Sequence, residues 1–254
     1  MPEIKPRKTL FNPELRRRGI YVLPNLFTTA ALFCGFFSIV QAMQGGFELA
    51  AVAIFVTMVL DGLDGRVARL THTQSAFGAE YDSLSDMVSF GVAPALVTYG
   101  WALKEMGRLG WIAAFVYCAG AALRLARFNS SAEATDKRYF QGLPSPAAAA
   151  LVAGFVWVMI DMDVAGVDVR WLACVLVMFA GMTMVSRVRF YSFKDFNLRR
   201  SVSFLFIVGI AFAIALFSYK PSVALFGLFV VYALSGYVLA LLRLVRTRTH
   251  SNTD

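Results

Sequence analysis

The sequence predicts an all-α polytopic membrane protein with about eight transmembrane helices. Of its 254 residues, 58% are hydrophobic and only 16% are charged. A soluble protein of this size has too little interior to bury so much apolar surface. The apolar residues also fall into runs of roughly 17 to 25 residues, the length that crosses a bilayer as a helix. Together these two observations place most of the chain inside a membrane.

The predicted spans follow one another with short polar or basic connections. They cover approximately residues 23–43, 47–63, 84–103, 110–129, 145–161, 171–187, 202–218 and 222–243. Pro24, Pro144 and Pro221 stand where helices are expected to begin, a position that tolerates proline. Pro94 lies inside the third span, where we expect it to kink the helix. The resulting division is a basic N-terminal tail (1–22), a catalytic transmembrane core (23–200), two additional C-terminal helices (201–245) and a short tail (246–254).

The positive charges predict the orientation of the chain. With eight spans both termini lie on one side, and all but four of the 24 lysines and arginines fall on that side. Loops rich in Lys and Arg stay in the cytoplasm, so the termini and the 61–86 loop are expected on the cytoplasmic face of the inner (cytoplasmic) membrane. The net charge of +8 is then explained by topology and by attraction to anionic membrane lipids. We therefore predict no nucleic-acid partner.

One basic segment has two interpretations. Residues 187–200, RVRFYSFKDFNLRR, mix aromatic and cationic side chains. Such a segment fits a helix in the plane of the membrane interface, and it equally fits a solvated basic loop.

Four carboxylates lie around the boundary between the second and third spans: Asp61, Asp64, Asp82 and Asp86. Ionisable groups at such positions are costly and indicate a functional site. Asp61 and Asp64 are three residues apart and Asp82 and Asp86 four apart, so each pair lies on one helical face. Two antiparallel helices would bring all four together, and their mutual repulsion requires a cation. Oxygen ligands of this kind suit Mg²⁺ or Mn²⁺, with Ca²⁺ as an alternative.

The residues between these carboxylates suit a phosphate group. Gly65 and Gly78 remove side chains where a ligand or another helix must come close. Arg69 offers a charged fork that matches phosphate geometry, and Ser75 adds a hydroxyl nearby. Together with a divalent metal these residues predict a pyrophosphate site.

The spacing D-x2-D-G-x2-A-R-x8-G-x3-D-x3-D resembles the signature of the CDP-alcohol phosphatidyltransferase family. All its specified positions are filled without a gap, by Asp61, Asp64, Gly65, Ala68, Arg69, Gly78, Asp82 and Asp86. If each residue type occurs at about one position in 10 to 20, chance agreement is on the order of 10⁻⁸. An ordinary turn with solvated acids is therefore a poor explanation.

The resemblance implies roles for these residues. Asp61, Asp64 and Asp82 would hold one or two metal ions, and Asp86 would share a metal and act as general base. The CDP-diacylglycerol donor would be bound at Gly65, Ala68, Arg69, Ser75 and Gly78. An alcohol would attack the phosphorus attached to diacylglycerol, and CMP would leave. Family members resemble one another in a six-helix core and are usually homodimers, so the chain would be that core plus two helices.

The acceptor alcohol is predicted from other stretches. LPNLFTTAALFCGF near Leu23, LRLARFN (123–129) and FQGLPSPAAA (140–149) resemble the integral-membrane phosphatidylserine synthases of this family, which implies L-serine. A serine carboxylate needs a cation, and the candidate residues are Arg124, Arg127 and Asn129. Arg127 with Asn129 is the preferred pocket, although both arginines also fit membrane-interface anchors. Glycerol 3-phosphate and inositol phosphate remain alternative acceptors for the same donor site.

Asn25 and Thr28, at the predicted start of the first span, have two interpretations. They could contact the CDP group or cap the helix, and capping is slightly favoured.

Two other classes of function are alternatives for such a membrane protein. A membrane prenyltransferase also uses carboxylates and Mg²⁺, but its aspartate motifs have a different spacing. An ion-coupled transporter would show internal repeats and broken helices near the bilayer midplane, whereas these acids cluster at one interface.

Overall fold

A computed structural model of the chain describes residues 13–71, 73, 75–130, 139–191 and 217–251. These residues contain eight α-helices: α1 Pro13–Met43, α2 Phe47–Thr71, α3 Ala76–Asp86, α4 Ala93–Thr98, α5 Arg108–Ser130, α6 Ser145–Asp161, α7 Arg170–Val185 and α8 Pro221–Ser251. Within these described ranges, three stretches are long and apolar enough to cross a membrane, namely Leu23–Met43, Arg108–Ser130 and Pro221–Leu242, and α6 and α7 are shorter apolar helices. The predicted class, a helical membrane protein with several spans, is confirmed.

The first helix begins earlier than the sequence predicted. The sequence predicts a tail that includes residues 13–22 and a helix start at Pro24, but α1 begins at Pro13 and contains Pro24. A proline removes one backbone hydrogen bond. Pro24 lies at the predicted membrane boundary, where water can satisfy the carbonyl that this bond would have used. Asn25 and Thr28 are therefore inside a helix, and the prediction that they cap it is wrong.

The third span is a helix of changing pitch. α3 continues into a π-helical stretch, Met87–Val92, then α4, then a second π-helical stretch, Tyr99–Leu103. Pro94 has no N–H to give to the carbonyl of Phe90, four residues earlier. Tyr117 of α5 donates its hydroxyl to that carbonyl instead, at 2.9 Å. The irregularity expected at Pro94 thus takes the form of π-helical turns, and a side chain satisfies the orphaned group.

The alanine-rich helix α6 forms the centre of the protein. Its buried face includes the run Ala147–Ala150, and α2, α4, α7 and α8 pack around it. Small side chains allow this close packing of several helices. α5 and α7 approach equally closely at Gly120 and Gly181, where an added Cβ would meet backbone atoms of the other helix.

A short antiparallel sheet lies between the helices and was not predicted. Strands β1, Tyr139–Gln141, and β2, Arg189–Tyr191, pair with Phe140 opposite Phe190. Residues 189–191 therefore belong to a strand, so neither interpretation of the basic segment fits its beginning. Residues 192–200, and all but the end of the predicted span 202–218, lie outside the described residues.

Candidate active site

Three of the predicted carboxylates meet on one side of the α2–α3 connection. Asp61 and Asp64 lie on α2 and Asp82 lies on α3. One carboxylate oxygen from each can be chosen so that all three lie within 4.8 Å of one another. Asp86, at the end of α3, interacts with the carboxyl group of Asp61. The predicted convergence of the four acids is therefore present.

The environment of these acids fits a divalent cation. Asp82 Oδ1 is buried and has no hydrogen-bond partner among the described residues. The carboxyl groups of Asp61, Asp64 and Asp82 lie so close together that their negative charges repel one another. Buried carboxylates without partners are costly, and a hard cation with oxygen ligands removes that cost. The three aspartates can therefore hold a divalent metal ion.

Thr28 of α1 connects both aspartate-bearing helices. Its buried hydroxyl donates to Asp64 Oδ2 at 2.8 Å, and its backbone carbonyl accepts from the hydroxyl of Ser85, beside Asp86, at 3.3 Å. A hydrogen bond of this kind fixes the orientation of a ligating carboxylate. The sequence predicted Thr28 to be a CDP contact or a helix cap. Its contact with Asp64 could not be predicted, because no local pattern indicates a partner 36 residues away.

The two predicted donor-binding glycines have different surroundings. A Cβ at Gly65 would have only Arg69 Nη1 nearby, at 3.8 Å. A Cβ at Gly78 would lie 3.1 Å from Ser75 Oγ and 3.4 Å from Asn25 Oδ1. Gly65 thus leaves room for a ligand, whereas the space beside Gly78 is occupied by Ser75 and Asn25.

Two of the other predicted donor contacts have structural partners. Ser75 is the N-cap of α3, where its hydroxyl accepts from Gly78 N at 3.0 Å. Ala68 is half-buried on α2, and its carbonyl accepts from Thr73 N at 3.1 Å. Capping fixes the first turn of α3, which contains Gly78.

The predicted acceptor residues separate into two groups. Arg124 donates to Ser145 Oγ at 2.7 Å and interacts electrostatically with Asp86. Arg127 donates to the carbonyl of Val185, at the end of α7, at 3.0 Å. Arg124 is therefore the arginine that faces the aspartates, whereas the sequence favoured Arg127.

Asn129, the third predicted acceptor residue, lies exposed and pairs with Ser83 of α3. Its Nδ2 donates to Ser83 Oγ at 3.1 Å. Ser145 was not singled out individually, although it lies within the 140–149 stretch that pointed to the acceptor.

A comparison with known protein families identifies the family of this chain. The model of the CDP-alcohol phosphatidyltransferase family matches residues 21–185. The chain belongs to the CDP-alcohol phosphatidyltransferase family. The match contains all four aspartates and both glycines of the site, and it ends at the last residue of α7.

Three curated relatives that the chain resembles carry the name CDP-diacylglycerol–serine O-phosphatidyltransferase. The protein of that name from Helicobacter pylori is 37% identical over 237 residues, which cover 91% of this chain and 98% of the relative. That from Methanocaldococcus jannaschii is 34% identical over 73% of this chain and 81% of the relative. That from Mycobacterium leprae is 36% identical over 69% of this chain and 60% of the relative.

Proposed function

We propose that this chain transfers the phosphatidyl group of CDP-diacylglycerol to L-serine, giving phosphatidylserine and CMP. The similarity to the Helicobacter pylori relative, over nearly the full length of both chains, carries the proposal. The three-aspartate cluster of the family motif supports the donor half of the reaction. Prenyltransferase and transporter functions are not proposed, because neither explains this family match.

The aspartates would perform the phosphoryl chemistry. Asp61, Asp64 and Asp82 would hold Mg²⁺ or Mn²⁺, which when bound stabilises charge on the leaving phosphate and polarises the phosphorus under attack. Asp86 would accept the proton of the serine hydroxyl as its oxygen bonds to that phosphorus. The bond from this phosphorus to the CMP oxygen breaks, and CMP departs. Gly65 and Arg69 would accommodate the pyrophosphate.

The acceptor would be held by Arg124. Arg124 is half-buried, its guanidinium donates to the hydroxyl of Ser145, and it lies close to Asp86. A carboxylate of serine placed against it would bring the serine hydroxyl toward the proposed base. An arginine presents several N–H groups in a fixed fork, so it can hold Ser145 and a carboxylate together.

The larger organisation also forms part of the proposal. Residues 23–200 would be the six-helix catalytic core and residues 201–245 two further spans, which makes eight in all. The termini and the aspartates would lie on the cytoplasmic side of the membrane, and two chains would associate as a homodimer. The charge distribution along the chain and the positive-inside rule support the orientation. Labelling of a cysteine introduced into the N-terminal tail, in intact and in permeabilised cells, tests it.

Turnover with different acceptors tests the function. Purified protein in lipid micelles with CDP-diacylglycerol and Mg²⁺ or Mn²⁺ should release CMP with L-serine. CMP release that requires glycerol 3-phosphate or inositol phosphate instead would contradict the serine assignment. Activity that survives removal of all divalent metal would contradict the metal role of the aspartates.

A pair of conservative substitutions tests the acceptor site. Arg124→Lys keeps the charge but loses the fork, and we expect the KM for serine to rise at least about tenfold. Arg127→Lys is the matched control on the same helix face, because its partner is a backbone carbonyl at the end of α7. Equal serine KM values for the two variants would contradict the assignment of Arg124.

A further inference from the structure

The C-terminal helix α8 packs against α6, and a second group of its residues contacts α7 and β2. α8 lies outside the range 21–185 that the family model matches. On α8, Gly236 follows Tyr232 by about one helical turn, and Tyr237 is the next residue. The hydroxyls of Tyr237 and Thr183 of α7 lie 2.7 Å apart. Tyr232 donates its hydroxyl to the carbonyl of Tyr191 in β2, at 3.3 Å. α8 is therefore bound to the end of α7 and to the sheet.

Phe190 is the side chain that α8 encloses. It is fully buried, and its ring centroid lies 5.8 Å from that of Tyr232. A Cβ at Gly236 would collide with the same ring, with the Cζ atom of Phe190 only 2.6 Å away. Only a glycine at this position lets α8 approach β2 so closely. The position of β2 thus depends on the fit between Phe190 and α8.

The sheet in turn fixes the position of the start of α6. Phe190 pairs with Phe140 of β1, and Gly142 N donates to the carbonyl of Val188 at 2.8 Å. Leu143 N then donates to the carbonyl of Thr183 at 3.2 Å. These backbone hydrogen bonds therefore fix the segment between β1 and α6 against the end of α7 and the residues before β2.

The next element along this path is the proposed acceptor site. α6 begins at Ser145, whose hydroxyl accepts from Arg124 Nη1 at 2.7 Å. Arg124 also interacts electrostatically with both Asp86 and Tyr232. The guanidinium thus lies between the aspartate site and the contact surface of α8.

We propose that α8 is a positioning element for the acceptor. Through Gly236 and Tyr232 it fixes the β1–β2 sheet, and the sheet fixes Ser145 and with it the Arg124 guanidinium that receives the serine carboxylate. This inference rests on the proposed function, because it assigns to α8 the geometry of that acceptor site. Neither Gly236 nor Tyr232 touches the reacting atoms, so the effect should fall on serine and not on the CDP-lipid.

Two alanine substitutions on the same helix test the proposal. Gly236→Ala places a methyl group against Phe190, whereas Gly227→Ala has nothing within 4 Å of its new Cβ. Both should favour the helix equally. With the full-length protein and saturating metal, we expect Gly236→Ala to raise the KM for serine about tenfold. The KM for CDP-diacylglycerol should stay within about twofold, and Gly227→Ala should behave as wild type.

A compensating change separates positioning from general damage. Phe190→Leu removes the ring atoms that the new methyl group would strike, so the double variant with Gly236→Ala should regain part of the affinity for serine. An unchanged serine KM in Gly236→Ala, or an equal rise for both substrates, would overturn the proposal, as would a double variant no better than the single one. If Gly236→Ala does not fold, Tyr232→Phe takes its place, and a wild-type serine KM in that variant would overturn it equally.

The failure of this inference can be told apart from failure of the proposed function. If Arg124→Lys has a normal KM for serine, the proposed acceptor site itself is refuted, whatever the result for α8. A raised serine KM in Arg124→Lys together with wild-type behaviour of Gly236→Ala leaves the acceptor site standing and removes only the role of α8.

Discussion

The hydroxyl of Thr28 provides the sharpest test of how the metal site is built. Thr28→Val keeps the shape of the side chain and removes its hydrogen bond to Asp64 Oδ2, which is 2.8 Å long. A hydrogen bond to a charged group contributes about 1.5–3 kcal/mol, or roughly 10- to 100-fold in affinity. The same hydroxyl proton also faces the carbonyl of Pro24 at 3.2 Å, and this sharing favours the lower value. We expect the metal concentration for half-maximal activity to rise about tenfold.

The control for this measurement is Thr98→Val. Thr98 is also buried and also donates to the carbonyl of a proline four residues earlier, Pro94, at 2.9 Å. It has no carboxylate partner among the hydrogen bonds of the described residues. Titration of Mn²⁺ or Mg²⁺ against CMP release, with both substrates saturating, gives the two half-saturation values. Equal values for Thr28→Val and Thr98→Val would refute the idea that Thr28 orients a metal ligand.

Three further predictions concern stability. Tyr117→Phe leaves the carbonyl of Phe90 without the hydroxyl that replaces the N–H missing at Pro94. The free energy of unfolding, measured by thermal denaturation, should therefore fall by about 1–3 kcal/mol. Gly120→Ala forces a methyl group to 3.0 Å from the backbone carbon of Gly181 and should destabilise the protein by at least about 1 kcal/mol, whereas Gly227→Ala should not. Divalent metal should raise the thermal midpoint, because it binds the folded aspartate cluster and relieves its repulsion; a midpoint that does not respond to metal or chelator would contradict binding there.

The sequence was sufficient to predict the helical membrane class and the convergence of the aspartates. Both follow from local regularities: apolar runs of bilayer length, and acids spaced three and four residues apart on helices. Three-residue strands such as β1 carry too short a pattern to be seen, and their pairing joins segments about 50 residues apart. The sequence favoured Arg127 over Arg124 for a similar reason: both lie on one helix face, and only tertiary packing separates their partners.

The first helix shows why the site needs more than its motif. α1 carries none of the four aspartates, yet it contacts both segments that do. A Cβ at Gly35 would lie 2.8 Å from Ser89 Cα in the third span, and Ser38 donates to the carbonyl of Ala50 in α2 at 2.8 Å. These contacts hold α1 against the start of α2 and against the third span just after Asp86, and Thr28 joins α1 to the acids themselves. The negatively charged aspartates repel one another, and this repulsion would push α2 and α3 apart. By contacting both segments, α1 keeps the aspartates close enough to share one cation.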